Sequence, residues 1–327
     1  MRRREFISLV GCVAAGWPLA ALAQKMPVSV GFLAAGAFGS ANSAAYIDAI
    51  KEGLRDNGLI ESRDYVLEAR FAAGNYDTFP ELARELAAKG VRVLLVNTIA
   101  SVRAAQKVSP PVAVVMLAIN DPVATGLVES LARPGGLTTG MATMNEDLTP
   151  KLLDIQRELV PSAKSIAVLF NPVNPTNPVY VNKLLAAAGA IGAKVLPVEL
   201  HLPGGLDAAF SRITELRPDA VHLVADSGLI DLHDRIAAWA LAQRLPSFAT
   251  VSSYAESGGL IAYGISLREL TIRACYFVRR ILDGAKPGDL PVEQPTRINL
   301  ALNLKTAKTL GVAVPPALLA RADNVIE

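Results

Sequence analysis

The sequence has 327 residues, of which 51% are hydrophobic and 19% are charged, and its formal net charge at pH 7 is +2. A chain of this length is large enough for two domains of about 150 residues, each with its own hydrophobic core. The near-neutral charge argues against nucleic acid as a partner, because a polyanion requires a strongly basic surface.

The N-terminus has the features of a cleavable signal peptide. Three arginines at positions 2–4 precede an apolar stretch at 6–22, and Ala21-Leu22-Ala23 matches a small-residue cleavage site. The apolar stretch contains glycine and proline and is shorter than the roughly 20 residues of a membrane-spanning helix. We therefore predict a signal peptide at 1–23 that is removed when the protein is exported to the periplasm.

Three export signals are compatible with this segment. Arg3-Arg4 followed by Glu5-Phe6-Ile7 resembles a twin-arginine signal, which exports folded proteins. A Sec signal with an arginine-rich start is the second interpretation. A lipoprotein signal is the third, because Leu9-Val10-Gly11-Cys12 resembles a lipobox, although few apolar residues precede Cys12.

Removal of the signal peptide changes the charge and the cysteine content. Lysine plus arginine falls from 32 to 29 and aspartate plus glutamate falls from 30 to 29, so the mature chain is formally neutral. Cys275 is then the single cysteine, and no intramolecular disulfide is possible. Stability must therefore come from packed hydrophobic cores.

Short apolar runs alternate with amphipathic segments along the mature chain. In the first half, the predicted strands are 28–34, 65–71, 91–96 and 112–117, and the predicted helices are 44–57 and 77–89. In the second half, the predicted strands are 165–170, 194–199, 220–225 and 247–251, and the predicted helices are 151–159, 179–191, 206–216 and 229–243. Strands that alternate with helices of roughly 10 to 15 residues indicate right-handed βαβ units with parallel sheets.

These strands are too many for one sheet, so we predict an α/β protein with two doubly wound lobes and a boundary near Gly140 to Leu148. The C-terminal part has a predicted strand at 260–264, a long helix at 268–282 and a final strand at 297–302. A chain that returns across both lobes would produce this arrangement.

Several stretches along nearly the whole chain resemble the ABC-transporter substrate-binding proteins related to the tryptophan-binding lipoproteins. They share the order and spacing of that family: 2–7, 121–128, 130–136, 158–161, 171–175, 258–260, 290–296, 303–308 and 318–323. The resemblance implies a type I periplasmic-binding fold, in which two lobes joined by three crossovers close over a solute. It also implies a membrane permease and a cytoplasmic ATPase as partners, but it does not fix the solute.

With that fold, we expect residues 24–143 plus about 264–286 to form the N-terminal lobe. Residues 144–263 plus about 287–327 would form the C-terminal lobe, and a hinge would join the two. Some relatives bind aromatic amino acids, so the resemblance is compatible with an amino acid or an aromatic organic acid as the solute.

Candidate binding residues follow from a general rule, because ligands of open α/β sheets bind outside the carboxyl ends of the strands. After the first strand, Phe38 would form an apolar wall and Ser40 would donate a hydrogen bond. The alternative is a glycine-rich turn with Phe38 packed into the core. Asp121, after the fourth strand, would pair with an ammonium group or only cap its Asp-Pro turn.

After the third strand, Thr98 and Ser101 mark the start of a helix. The free N–H groups and positive dipole end of a helix start suit a carboxylate. The alternative is that Thr98 only caps its own helix.

In the second lobe, Asn171 and Asn174 follow a strand and suit a polar solute, although turn formation also explains them. Asp226 and Ser227 follow the next cleft-facing strand, and Asp226 is the best candidate there for a solute amine. Tyr254 would stack on the solute or form a hydrogen bond with it. Such a pocket suits a small amino acid or organic acid.

Enzyme functions are poorly supported. The segment 34–39 lacks the first glycine of a dinucleotide-binding loop, and no acid follows the second strand to hold a ribose. No G-x-S-x-G nucleophile motif occurs. The three histidines have no metal-ligand spacing: we expect His222 in the core and His233 on a solvated helix face beside Asp231 and Asp234. We therefore expect no enzyme, no cofactor and no metal.

The prediction is a periplasmic, monomeric solute-binding component of an ABC import system, which captures a small organic solute by hinge closure. An exported NAD-type oxidoreductase and a sensory receptor with the same fold are the alternatives.

Overall fold

The computed structural model describes residues 26–327, so the predicted signal peptide lies outside the described residues. The first lobe contains β1 (Val28–Ala34), α1 (Ala41–Asp56), β2 (Tyr65–Phe71), α2 (Phe79–Ala88), β3 (Val93–Val96), α3 (Ile99–Ala105), β4 (Ala113–Asn120) and β5 (Thr138–Thr143). The second contains α4 (Thr149–Leu159), β6 (Ser165–Phe170), α5 (Asn177–Ala190), β7 (Lys194–Glu199), α6 (Leu206–Leu216), β8 (Ala220–Leu223), α7 (Ser227–Ile230), α8 (His233–Ala242), β9 (Ser247–Val251), α9 (Ser253–Glu256) and β10 (Ile261–Ile265). The C-terminal part adds α10 (Leu267–Leu282), β11 (Asn299–Asn303), α11 (Leu304–Leu310), α12 (Pro316–Leu319) and β12 (Asn324–Ile326).

The two sheets repeat the same strand order. The first has the order β2-β1-β3-β4-β5 and is parallel throughout. The second has the equivalent order β7-β6-β8-β9-β10, to which β11 adds in antiparallel orientation and β12 adds at the edge. Helices cover both faces of the first sheet, so β3 is buried along its whole length, as its unbroken apolar sequence predicts. In the part of the chain that the structure describes, no helix is long and apolar enough to cross a membrane.

The chain passes between the lobes three times. It leaves β5 for α4, leaves β10 for α10, and returns to the second sheet at β11. The segment 287–293, which was expected in the second lobe, packs instead on the first. Leu290 and Val292 are buried in the first-lobe core, and Met141 forms an isolated bridge with Glu293.

The long helix α10 belongs to the first lobe and packs tightly on α1. A Cβ at Gly53 would lie 2.7 Å from the Ile272 carbonyl oxygen, so this close helix–helix approach requires glycine. Cys275 lies in the same interface and is fully buried. Burial raises the pKa of its thiol to about 12, so the thiol stays protonated at neutral pH.

The histidines differ in part from expectation. His222 lies in the core of the second lobe, as predicted. His233 is also buried, against the expectation of a solvated helix face, because its ring packs against Tyr254 with centroids 5.0 Å apart. The prediction was wrong because it relied on the polar neighbours of His233 in the sequence. Asp234 is exposed, whereas His233, one residue earlier in the same helix turn, faces the core.

The close approach of β4 and β5 depends on one glycine and leads to a stability prediction. Gly140 has a φ of +127°, and a Cβ there would lie 2.3 Å from the Met116 carbonyl oxygen. Gly140→Ala should therefore lower the free energy of unfolding by at least about 3 kcal/mol, measured by urea denaturation. Gly189→Ala is the matched control, because its added Cβ meets nothing within 4 Å in α5. The control should raise stability by about 0.4–1 kcal/mol, and equal stabilities of the two variants would contradict the prediction.

Candidate functional site

A small cavity lies between the lobes at the carboxyl ends of strands from both sheets, where the general rule for open α/β sheets places a ligand. Its volume is about 40 Å³. Its polar lining residues are Asn97, Thr98, Asn120, Asn145, Asn174, Asp226 and Ser227. Its main apolar lining residues are Ile99, Ile119, Ile230, Val251, Ile265 and Leu267.

Among the residues that the structure describes, Asp226 is the one ionisable side chain that lines this cavity, and it is 5% exposed. It caps α7: its Oδ1 accepts hydrogen bonds from the Gly228 N–H at 3.0 Å and from the Tyr76 hydroxyl at 2.9 Å. Its Oδ2 accepts a hydrogen bond from Asn174 Nδ2 at 2.9 Å. The carboxylate therefore links two segments of its own lobe to Tyr76 of the first lobe.

Tyr76 is held in the protonated form that this contact requires. Burial, and then the nearby charge of Asp226, raise the pKa of the Tyr76 phenol well above its ordinary value. Its oxygen also accepts a hydrogen bond from the Gly228 N–H at 3.1 Å. A side chain at position 228 would collide with this oxygen, since a Cβ would lie 2.8 Å from it.

The start of α3 forms a second polar wall of the cavity. Thr98 and Ser101 make a capping box, in which the Ser101 N–H donates to Thr98 Oγ1 at 2.9 Å and the Thr98 N–H donates to Ser101 Oγ at 3.0 Å. Both hydroxyls are thus used within the helix start. Next to it, the Ser227 hydroxyl donates to the Asn97 carbonyl oxygen at 2.6 Å, which makes a second contact between the lobes.

Two asparagines line the cavity near the first crossover: Asn120 is the last residue of β4, and Asn145 lies in the crossover that follows β5. Asn120 Oδ1 accepts from the Asn145 N–H at 2.8 Å, and Asn120 Nδ2 donates to Glu146 at 2.9 Å. These contacts fix the turn that leads out of β5. Asn145 Oδ1 is buried and has no hydrogen-bond partner among residues 26–327. It is therefore a free acceptor at a residue that lines the cavity.

A latch joins the lobes outside the cavity. Asp231 of the second lobe accepts hydrogen bonds from the Ala37 N–H at 2.8 Å, from Ser40 Oγ at 3.2 Å and from Asn42 Nδ2 at 2.9 Å. Gly36 makes this approach possible, because a Cβ there would lie 2.6 Å from Asp231 Oδ2. One carboxylate thus binds three groups of the β1–α1 segment.

Because the latch joins the two lobes, its removal should change the overall dimensions of the protein. Asp231→Ala removes all three hydrogen bonds, so it should favour separated lobes by about 2 kcal/mol, a factor of about 30 in the equilibrium. Small-angle scattering should then show a larger radius of gyration. Asp234→Ala, an exposed neighbour, is the control and should leave the radius unchanged. Identical radii for both variants would show that Asp231 does not hold the lobes together.

Of the residues that were predicted to bind a solute, the structure brings Thr98, Asn174, Asp226 and Ser227 together at the cavity. Ser40 lies at the latch, where it also caps α1. The remaining five do not line the cavity: Phe38, Ser101, Asp121, Asn171 and Tyr254.

Their surroundings explain why. Phe38 is 84% exposed and packs edge-on against Phe71, and Tyr254 is fully buried in the core of the second lobe. Asp121 caps its own turn by accepting from the Ala124 N–H at 3.0 Å. Asn171 likewise accepts hydrogen bonds within its own loop.

Six polar residues that line the cavity, form the latch or contact Asp226 were not predicted as binding residues: Asn42, Tyr76, Asn97, Asn120, Asn145 and Asp231. Asn97 and Asn120 lie at strand ends, so the same rule would have found them. Asn145 follows β5, a strand that was not predicted. Tyr76 and Asp231 reach their partners across 150 residues or more of sequence, and no local pattern indicates such contacts.

Known proteins share this architecture. A tyrosine-binding protein from Clostridioides difficile is 24% identical over 268 residues, which cover 81% of this chain and 77% of that protein. A solved ABC domain from Streptococcus pneumoniae in complex with L-Trp has a TM-score of 0.82 at 22% identity, with 92% of this chain and 100% of that chain covered. A conserved domain protein from Vibrio cholerae also has a TM-score of 0.82, at 24% identity over 91% of this chain and 99% of that chain.

These similarities confirm the two-lobed α/β fold of type I periplasmic-binding proteins that was predicted from the sequence. The family model for ABC transporter substrate binding proteins matches residues 40–326, which is most of the chain. Capture of a small solute between two lobes is the function of this family, and the cavity lies where such a solute would bind. The chain belongs to the family of ABC transporter substrate binding proteins.

Proposed function

We propose that this protein is the periplasmic, monomeric solute-binding component of an ABC import system, and that its solute is an amino acid. An aromatic amino acid is the first candidate, because one relative is a tyrosine-binding protein and a solved neighbour holds L-Trp. The signal peptide at 1–23, of the twin-arginine or the Sec type, would direct export. The membrane permease and the ATPase of the transporter would be its partners.

The buried carboxylate of Asp226 in the lining of the cavity is the main reason to propose an amino acid as the solute. A cationic partner strongly stabilises a buried carboxylate, and the α-ammonium group of an amino acid would supply one. Three of the acceptor positions of this carboxylate are already used, which leaves capacity for one more donor. Asn145 Oδ1 is a second acceptor among the lining residues, so an ammonium group with three N–H donors has more than one partner.

The carboxylate of the amino acid would bind at the start of α3. Thr98 and Ile99 line the cavity there, and the capping box uses the hydroxyls of Thr98 and Ser101. The backbone N–H groups of Ile99 and Ala100 then remain as donors, since the first turn of a helix has no carbonyl partners for them and the Ser101 N–H is used by the capping box. We therefore place the solute carboxylate against backbone rather than against the threonine hydroxyl.

Capture would proceed by closure of the lobes. A cavity of about 40 Å³ holds only a few water molecules, whereas small-molecule sites usually measure about 300–1,000 Å³. The lobes must therefore separate further to admit a solute and must hold it in a somewhat wider cleft. The contacts of Asp226 and Asp231 across the cleft would then contribute to the closed, solute-bound state.

Calorimetric titration of the mature protein with L-tyrosine, L-tryptophan, L-phenylalanine and D-glucose tests the proposal. We expect micromolar or tighter binding of at least one of the three amino acids and no heat from the sugar. Mass spectrometry of small molecules that copurify with the protein provides an independent measurement. Binding of the sugar alone would overturn the proposal.

A further inference from the structure

Asp226 divides its hydrogen bonds unequally between its two carboxylate oxygens. Oδ1 accepts two, from the Gly228 N–H at 3.0 Å and from the Tyr76 hydroxyl at 2.9 Å, whereas Oδ2 accepts one, from Asn174 at 2.9 Å. Each carboxylate oxygen accepts about two hydrogen bonds, so the position that remains for a solute N–H belongs to Oδ2. Asn174 lines the cavity between the lobes and Tyr76 does not, which agrees with Oδ2 as the oxygen nearer the cavity.

Tyr76 reaches this carboxylate from the opposite lobe. It begins a short 3₁₀ turn, Tyr76–Thr78, between β2 and α2 of the first lobe. Its ring packs against Phe79 with centroids 5.3 Å apart, in the core of that lobe. The ring is therefore anchored in the first lobe, while its hydroxyl ends at the start of α7 in the second lobe. This packing fixes where the hydroxyl lies when the lobes are closed.

The Tyr76 hydroxyl both donates and accepts at the start of α7. It donates to Asp226 Oδ1 and accepts from the Gly228 N–H at 3.1 Å. Within residues 26–327, it is the one group of the first lobe that forms a hydrogen bond with this carboxylate. Without it, Asp226 would keep two hydrogen bonds, both from its own lobe, and its carboxylate would be free to turn about the side-chain bonds.

We propose that Tyr76 is a positioning residue for solute recognition: its hydroxyl holds Asp226 Oδ1 from the opposite lobe and so directs Oδ2 toward the ammonium group of the solute. This inference rests on the proposed function, because it requires an amino acid whose ammonium group binds at Asp226. A contact that only joined the lobes would favour every captured solute equally. A positioning contact favours solutes that carry an ammonium group.

Calorimetric titration of the wild-type protein and of Tyr76→Phe with two ligands tests the inference. The first ligand is whichever of L-tyrosine, L-tryptophan and L-phenylalanine the wild-type protein binds most tightly. The second is the arylpropanoic acid with the same ring, which lacks the ammonium group and is measured by displacement of the first. We expect the wild-type protein to prefer the amino acid at least about tenfold, because the acid leaves Asp226 without its cationic partner.

Tyr76→Phe should weaken binding of the amino acid about tenfold, since it removes a hydrogen bond to a charged group that directs the ammonium contact. Binding of the arylpropanoic acid should weaken by no more than about twofold, so the preference for the amino acid should fall about fivefold. The variant keeps the ring against Phe79 and the two hydrogen bonds of Asp226 from its own lobe, so its melting temperature should stay near that of the wild-type protein.

Tyr276→Phe is the matched control, because it also deletes a phenol hydroxyl that binds a charged group. Arg280 Nη1 donates to the Tyr276 hydroxyl at 2.7 Å, on α10 of the first lobe and outside the lining of the cavity. The control should change neither affinity by more than about twofold. Equal weakening of both ligands by Tyr76→Phe would assign the hydroxyl to lobe closure or to stability alone and would overturn the inference.

Two further outcomes separate the inference from the proposed function. Affinities of Tyr76→Phe that equal those of the wild-type protein would overturn the inference and leave the amino-acid function standing. Absence of wild-type binding to L-tyrosine, L-tryptophan and L-phenylalanine together would overturn the proposed function, and the inference with it.

Discussion

Asp226→Asn should weaken the binding of L-tyrosine about a hundredfold, measured by titration calorimetry at pH 7. The substitution removes the negative charge that we place against the solute ammonium, and loss of one partner of a buried charge pair is unfavourable by about 2–5 kcal/mol. Because the lost interaction exists only in the complex, the effect on binding should exceed the effect on the free protein.

The local contacts explain why this variant should still fold. Asparagine caps a helix as well as aspartate does, so the new side chain can still accept from the Gly228 N–H and from the Tyr76 hydroxyl. Its amide nitrogen, however, would face Asn174 Nδ2, which is itself a donor. Asn174 cannot simply turn its amide around, because its Oδ1 already accepts two hydrogen bonds from Thr176.

Asp121→Asn is the matched control for the same change of charge. Asp121 has a φ of +40°, a backbone conformation that asparagine tolerates, and it lies outside the lining of the inter-lobe cavity. The affinity of the Asp121→Asn variant for L-tyrosine should stay within about twofold of that of the wild-type protein. An unchanged affinity of Asp226→Asn would show that the ammonium binds elsewhere. A tighter complex of this variant with L-tyrosine would contradict an ammonium contact at Asp226 in the same way.

The sheets of both lobes were largely predictable, because short apolar runs bounded by glycine and polar residues are typical of buried parallel strands. Strands such as Ser165–Phe170 and Ser247–Val251 agree with the prediction at both ends. Strand β5 was not predicted, since Thr138–Thr143 has no apolar run, although all six of its residues are buried. Its threonines use tertiary partners, such as the Leu290 carbonyl oxygen that accepts from Thr139.

The binding site was predictable only in part, from the rule that ligands of open α/β sheets bind outside the carboxyl ends of the strands. Strand ends locate Thr98, Asn174, Asp226 and Ser227, since the topology alone brings these positions together. Which side chains remain available is decided by contacts between the lobes, and these contacts leave no periodic signal in a sequence. Tyr76 and Asp231 were missed for that reason.

The aromatic residues illustrate a different limit. Phe38 and Tyr254 both follow strands, and both were expected to meet a solute. One is exposed on the rim and the other is enclosed in the core. An aromatic side chain is equally suited to a core, a rim or a binding pocket, so residue type alone could not assign the place of either residue.

The second large effect concerns stability against acid. Burial lowers the pKa of His222 to about 3, and burial also lowers the pKa of His233 to about 4, although Asp234 raises the latter slightly. In the unfolded chain, both imidazoles have a pKa of about 6.5. Below pH 6.5 the unfolded state therefore binds protons that the folded state does not bind until about pH 4.

The sign of the effect follows directly from this difference in bound protons. The stabilisation is fully present above pH 6.5 and is lost as the pH falls toward the folded pKa values, by about 1.4 kcal/mol per pH unit and histidine. Between pH 7 and pH 5, we expect the free energy of unfolding to fall by about 4 kcal/mol. Urea denaturation at the two pH values measures this loss.

Variants without these imidazoles isolate their contribution. His222→Leu and His233→Leu should each remove about half of the loss between pH 7 and pH 5, and the double variant should remove nearly all of it. Both substitutions change packing as well, but a packing change shifts stability equally at both pH values and cancels in the difference. Wild type and variants should show the same pH dependence between pH 7 and pH 8, where both imidazoles are neutral in either state.

Three carboxylates with a lowered pKa do not contribute to the loss of stability in this window. Asp64, Asp219 and Asp323 have a lowered pKa because of hydrogen bonds to Arg63, Ser165 and Arg297, so their contribution is lost only below about pH 4. A double variant that keeps the full loss between pH 7 and pH 5 would therefore refute the assignment to the two histidines. A smaller fall in the free energy of unfolding of the double variant would show that the burial of two core histidines, rather than surface ion pairs, destabilises this solute-binding fold between pH 7 and pH 5.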